Sequence, residues 1–186
     1  MVTLEPLAPG HAGPLRDATL DGRVWELWHT SAPEPDAVAS DISAKLAMAE
    51  RRALRPFAVR RRADDRIVGV TTYLNPSPAV PAVEIGYTWY AASARRTGLN
   101  TEAKLLLLRH AFQEWECRRV AFRTNWFNHE SRRAIERLGA VLEGRIRHDR
   151  ITRDGIVTDS AQYSITDDQW PAVERHLTFR LASRDR

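Results

Sequence analysis

The feature that most constrains this chain is a junction. A β-rich run, Val83-Glu84-Ile85-Gly86-Tyr87-Thr88-Trp89-Tyr90, leads through Arg95-Arg96-Thr97-Gly98-Leu99-Asn100-Thr101-Glu102 into an apolar helical pattern. The β-branched and aromatic residues, approached by Pro78 and Pro81, read as a strand. Beyond the loop, Ala103, Leu107, Ala111 and Trp115 recur at helical spacing, and Leu105, Leu106, Leu108 and Phe112 widen that face. The spacing predicts a buried helix over residues 101–116, with Asn100 or Thr101 as its N-cap and Glu102 in the first turn. Gly98 adopts a left-handed backbone at no cost and Asn100 tolerates one, so such a loop turns several N–H groups toward one point where a helix begins. That point attracts phosphate, and Arg95 and Arg96 add full charges. The loop lacks the Lys-Ser/Thr ending of a P-loop and the full Gly-x-Gly-x-x-Gly fingerprint, which counts against nucleoside triphosphate and dinucleotide folds.

The bulk properties narrow the class further. At 186 residues, with no repeat, low-complexity tract or long linker, the chain is expected to form one domain over residues 1–186. Its 43% hydrophobic and 28% charged content is that of a soluble globular protein. The longest apolar cluster, at residues 105–108, is too short to span a bilayer, and Met1-Val2-Thr3-Leu4-Glu5 does not resemble a signal peptide. No membrane partner and a cytoplasmic location are therefore expected. Cys117 is the single cysteine, and the six histidines show no paired spacing, so neither a disulfide framework nor a metal centre is expected.

The net charge is +4, and only Lys45 and Lys104 are lysines, so arginine carries almost all the positive charge. The densest basic cluster, Arg60-Arg61-Arg62 before Asp64-Asp65-Arg66, reads as a charged hairpin turn. Aromatic interleaving and a recognition-helix pattern are missing from it, so nucleic acid is not an expected partner.

Along the chain, strands are predicted over residues 2–7, 57–62, 66–74, 82–90, 119–124, 141–150 and 156–165. Helices are predicted over residues 11–20, 36–54, 101–116, 128–138 and 167–181, and residues 24–30 read as a loop with anchored tryptophans. Gly139 stops one helix, and Arg153-Asp154-Gly155 turns a hairpin. This order gives an α/β or α+β fold around a central sheet of mixed strand direction.

These residues resemble the GCN5-related N-acetyltransferases (GNAT), within them the RimJ/RimL-like branch. The likeness runs over residues 2–165 and is strongest over residues 83–144. The family's acyl-CoA loop reads Gln/Arg-x-x-Gly-x-Gly/Ala, matched by Arg95-Arg96-Thr97-Gly98-Leu99 with Asn100 as a departure at the last place. Val83-Glu84-Ile85-Gly86-Tyr87 resembles the family's fourth strand. Asn128-x-x-Ser131 with Glu136-Arg137-Leu138-Gly139-Ala140 resembles its second CoA-contact helix. Glu143-Gly144, Arg147, Asp154-Gly155, Asp159 and Tyr163-Ser164 resemble the closing hairpin of the branch.

The resemblance implies a GNAT fold: a mixed, mostly antiparallel sheet of six or seven strands with helices on both faces and a splayed acyl-CoA cleft between the fourth and fifth strands. It implies acetyl-CoA as acyl donor, with the pantetheine arm on the main chain of Trp89, Tyr90 and Ala91 and the pyrophosphate on Arg95, Arg96, Thr97, Gly98, Asn100 and Thr101. The reaction implied is direct attack by a primary amine, a protein N-terminal α-amine or a small amine, in a ternary complex. Such chemistry needs a deprotonated amine, donors for the developing oxyanion and a proton for the leaving thiolate.

Glu84 occupies the place where some members carry their base; the alternative is that it orients substrate or braces the sheet. Asn128 resembles the residue that holds the pantetheine arm. Ser131 either gives the thiolate a proton or contacts the cofactor, and cofactor contact is favoured. Ile135 stands where many relatives place a tyrosine acid. His129 is read as solvated, and Asp159 faces either the substrate cleft or an arginine. Trp25, Trp28, Tyr73 and Trp126 are candidates to wall an acceptor pocket, or else fill the core. Relatives often pair, so a homodimer is the oligomer implied. The alternative function is a non-catalytic acyl-CoA-binding or sensing module.

Overall fold

A computed structural model of the chain describes residues 1–183; the last three residues of the expected 1–186 domain lie outside the described residues. Seven strands run in the order β1-β2-β3-β4-β5-β7-β6. They are β1 (Val2–Pro6), β2 (Leu54–Arg61), β3 (Arg66–Ser77), β4 (Ala82–Tyr90), β5 (Arg119–Asn125), β6 (Val141–Ile151) and β7 (Val157–Thr166). The helices are α1 (Ala12–Leu20), α2 (Val38–Glu50), α3 (Leu99–Arg109), α4 (His129–Glu136) and α5 (Trp170–Ala182). Among the described residues no helix is long and apolar enough to cross a membrane. The strands and helices fall into two compact units, one of residues 1–75 and 87–103, the other of residues 76–86 and 104 onward.

In the first unit β1 pairs antiparallel with β2, and β2 with β3. Seven consecutive buried residues in β3, from Ile67 to Tyr73, mark a strand covered on both faces. One side packs Ala58 and Val70 against Leu15 and Ala18 of α1 and Val38 and Ile42 of α2. The other packs Val2, Val59 and Val68 with Tyr90, Ala94, Leu99 and Ala103. Neighbouring Ala58 and Val59 join opposite clusters, as the period of a strand requires.

In the second unit β4 runs parallel to β5, registering Ala82 with Arg119, Val83 with Val120 and Glu84 with Ala121. β5 pairs antiparallel with β7, and β7 with the edge strand β6. Phe122, Val120, Tyr163, Ile165, Leu108 and Leu177 are fully buried there, and Phe112 stacks on Trp170 at 5.1 Å. Arg109 of α3 donates from Nε to Glu174 of α5 at 2.6 Å.

Among the boundaries that depart from the sequence reading, three have a visible backbone cause. The helix expected to reach residue 54 ends at Glu50: Arg52 turns left-handed (φ +59°), and Leu54 already begins β2. The helix expected over residues 101–116 starts at Leu99, so Asn100 and Thr101 lie in its first turn and Gly98 holds the cap position instead. Its far end widens into a π turn at His110–Glu114, closed by Trp115 N–H donating to His110 O at 3.1 Å, and Glu116 (φ +49°) then redirects the chain into β5.

Candidate functional site

The first unit carries the anion-type loop. Arg96 (φ +61°) and Gly98 (φ +94°) take the left-handed conformation, while Asn100, expected to share that role, is helical. Two left-handed residues two apart, directly before a helix of eleven residues, are the backbone pattern from which anion-binding loops are built. Thr97 Oγ1 donates back to Ala94 O at 2.6 Å, and Arg95 Nε reaches Tyr90 O at 3.4 Å, so both ends of the loop are tied down. Asn100 Oδ1 is buried with no hydrogen-bond partner. It is one of several side-chain polar atoms buried without a partner among the described residues, and it lies in the first turn behind the loop.

Trp89, Tyr90 and Ala91 are buried beside this loop, and Ala91 N–H donates to Val68 O at 2.8 Å, so that donor is committed to the sheet. The Tyr90 hydroxyl is buried without a partner, and burial pushes its pKa upward, so it stays protonated. The candidate pocket aromatics of this unit are placed unlike one another. Tyr73 is in the core, edge-on to Phe57 at 6.0 Å; Trp25 packs on the α1–α2 cluster under Arg23; Trp28 is exposed and edge-on to His29. Two arginines of the basic turn are paired in place, Arg60 bonded to Glu5 and Arg61 to both oxygens of Asp64.

The second unit carries the acid–base candidates. Glu84 is 5% exposed on β4, and Arg123 of β5 brings a positive charge beside it, Nη2 lying 4.0 Å from Glu84 Oε2. Asn128 is the N-cap of α4: its Oδ1 accepts the Ser131 N–H at 2.9 Å. The Asn-x-x-Ser spacing is thus satisfied locally as a cap, and it holds the Asn128 side chain and the Ser131 backbone at the helix start. His129 is exposed and Ile135 buried. Trp126 is half-buried between two guanidiniums, Arg132 at 4.2 Å and Arg145 at 4.7 Å from the ring centre.

Asp159, left open between cleft and ion pair, is paired with Arg145 at 2.6 Å and accepts the His148 N–H at 2.9 Å. The His148 N–H first, then Arg145 and Arg147, hold its carboxyl below the usual carboxylate range against the opposing pull of burial. The sequence reading passed over Arg123 and Asp149. Their one signal was an arginine inside an otherwise apolar strand, Val120 to Thr124.

A seven-stranded, mostly antiparallel sheet with one parallel pair at β4/β5, and an anion-type loop opening the helix after β4, defines the class of acetyltransferase folds. The profile of the acetyltransferase (GNAT) domain matches residues 1–141, and the chain belongs to this family. It is 33% identical over 107 residues to YdaF of Bacillus subtilis (strain 168), provisionally assigned as a ribosomal N-acetyltransferase; the match covers 58% of this chain and 57% of that one. The chain thus spans a little over half the length of this relative. A crystal structure of a provisionally assigned acetyltransferase from T. thermophilus superposes with a TM-score of 0.82 at 31% identity, covering 97% of this chain and 93% of that one. Mycobacterium smegmatis RimJ in complex with CoA-disulfide shares the fold, with a TM-score of 0.81 at 24% identity over 98% and 90% of the two chains.

Proposed function

We propose that the protein is an acetyl-CoA-dependent N-acetyltransferase that acetylates a primary amine, a protein N-terminal α-amine or a small amine, by direct attack in a ternary complex. The observation that carries this reading is the loop before α3, with left-handed Arg96 and Gly98 and the orphaned Asn100 Oδ1. Its backbone donors and arginines suit a pyrophosphate, and the orphaned acceptor suits a ligand donor. Arg95, Arg96, Thr97, Gly98, Asn100 and Thr101 would hold the pyrophosphate, while Trp89, Tyr90, Ala91, Asn128 and Ser131 would hold the pantetheine arm. Acetyl-CoA, when bound, supplies the activated acyl group.

The chain's own residues then have three tasks. Glu84 takes the proton of the attacking amine, for which a carboxylate screened from water is suited. Ser131, fixed at the start of α4, contacts the cofactor and is the candidate to return a proton to the thiolate, Ile135 having no proton to give. Trp25, Trp28, Tyr73 and Trp126 are the candidates to orient the acceptor. YdaF, provisionally assigned as a ribosomal N-acetyltransferase, supports a protein acceptor. We further propose a single cytoplasmic N-acetyltransferase domain that associates with its amine acceptor and pairs as a homodimer.

The test is thiol release from acetyl-CoA with a panel of N-terminal peptides and small amines, beside thermal stabilisation by CoA. Acceptor-stimulated release that Glu84→Gln lowers, with CoA binding retained, is the expected result. Strong stabilisation by CoA with no acceptor stimulating release would instead identify an acyl-CoA sensing module, the reading that Ile135 and Asn100 favour.

A further inference from the structure

We infer that Arg123 is a positioning residue for Glu84 and that Asp149, on the far hairpin, holds Arg123 in place. The inference rests on the proposal that Glu84 takes the amine proton. Each nitrogen of the Arg123 guanidinium faces a different strand. Nε donates to Gln162 Oε1 of β7 at 2.9 Å, Nη1 to Asp149 Oδ1 of β6 at 3.2 Å, and Nη2 stands 4.0 Å from Glu84 Oε2 of β4. A planar guanidinium fastened at two edges has little freedom at the third. At 4.0 Å it makes no hydrogen bond to Glu84 but lends it a fixed positive field.

The brace on Arg123 is built into the backbone. β6 and β7 pair Ile146 with Ser160 and Arg150 with Thr158, so Arg147, His148 and Asp149 stand opposite the single residue Asp159. This bulge needs His148 at φ +50°, a costly conformation for a residue with a side chain. Asp159 offsets that cost by accepting the His148 N–H on Oδ1 and pairing with Arg145 through Oδ2. The bulge delivers Asp149, the next residue, to Arg123. Arg150 is the other charge at this point, its Nε lying 3.7 Å from Asp149 Oδ2. Bulges that re-aim one side chain are a recurrent device beside reaction sites.

The experiment measures kcat and the acetyl-CoA KM of the full chain, with the panel peptide that supports the fastest thiol release, for Arg123→Gln, Arg123→Lys, Asp149→Asn, Glu84→Gln and the Glu84→Gln/Arg123→Gln pair. A misaligned base costs turnover rather than cofactor affinity. Arg123→Gln is therefore expected to lower kcat about tenfold with KM for acetyl-CoA within about twofold. Arg123→Lys keeps the charge but not the fork, and is expected to recover only part of the loss. Asp149→Asn, nearly isosteric, covers the case in which Arg123→Gln fails to fold, and lowers kcat in the same direction by about threefold. Because Arg123 acts through Glu84, the double variant is expected to be no slower than Glu84→Gln. Unchanged kcat in Arg123→Gln and Asp149→Asn while Glu84→Gln is impaired would overturn the inference alone, as would losses that multiply in the double variant. Full turnover in Glu84→Gln would remove Glu84 as base, and the inference with it.

Discussion

Gly69 of β3 faces Trp89 of β4 so closely that a Cβ at residue 69 would stand 2.2 Å from the Trp89 carbonyl oxygen and 3.0 Å from Tyr90 Cα. Both neighbours are backbone and have no rotamer with which to yield. Gly69→Ala must therefore push the end of β4 away from β3, at a cost of about 1–3 kcal/mol. Trp89 and Tyr90 are also the residues proposed to hold the pantetheine arm. Urea unfolding with and without CoA is expected to show a lower apo stability and a smaller ligand-induced increment in the variant. A variant equal to the parent in both would show that the approach imposes no constraint.

Gly98 has a different reason to be glycine. Its φ of +94° is a conformation that side chains with a Cβ rarely adopt, and its place is the cap of α3, where the proposed pyrophosphate would meet the backbone. Gly98→Val is expected to leave the fold assembled and weaken CoA binding strongly. At roughly 100 times the parent's dissociation constant, CoA stabilises the parent by about 2.7 kcal/mol, and most of that increment is expected to vanish in the variant. An undiminished shift in thermal midpoint would exclude the loop as the pyrophosphate site.

How far the sequence was legible follows from the range of each signal. Strand and helix periods are local, so β4, α3 and the closing hairpin could be placed from residue spacing, and Gly139 could be read as a helix stop, where it stands at φ +96°. Asn100 was misplaced because Gly and Asn both tolerate a positive φ. Propensity alone did not tell that Arg96 would take that conformation and let the helix begin at Leu99. The Arg123 fork was illegible for another reason. It joins residues 39 positions apart in one bond and 26 in another, through a bulge whose only local trace is the strained His148.

Asp159 pins that bulge, and its pH dependence has a definite sign. The folded carboxyl is held below its ordinary value, chiefly by the His148 N–H and then by Arg145. The folded state thus binds its proton less readily than the unfolded chain. The stabilisation is fully present above the unfolded value of about 3.9 and is lost as pH falls through the lower folded value. Asp159→Asn keeps an acceptor for His148 but loses the charge facing Arg145. It is expected to be less stable than the parent at pH 7, with the gap closing below about pH 4. Thermal midpoints between pH 3 and 7 check this; a gap independent of pH would mean that the ion pair contributes nothing. Faster amide exchange at His148 is the expected local signature.

Lys104 gives the same sign in a higher pH window, but as a penalty relieved rather than a stabilisation gained. It lies buried in α3, and desolvation pushes its ammonium down to about 7. An unfolded lysine titrates near 10.4, so between these values the unfolded chain holds a proton that the folded chain has released. Stability from this residue therefore rises as pH climbs from about 7, by up to about 1.4 kcal/mol per pH unit, and levels off near the unfolded value. Lys104→Met keeps most of the apolar stem and removes the titration. Other groups titrate over the same range in both proteins, so the informative quantity is the difference between parent and variant. Urea unfolding at pH 7, 8 and 9 is expected to show the parent gaining on Lys104→Met at each step. Parallel curves would mean that the ammonium remains charged in the fold, compensated where it lies.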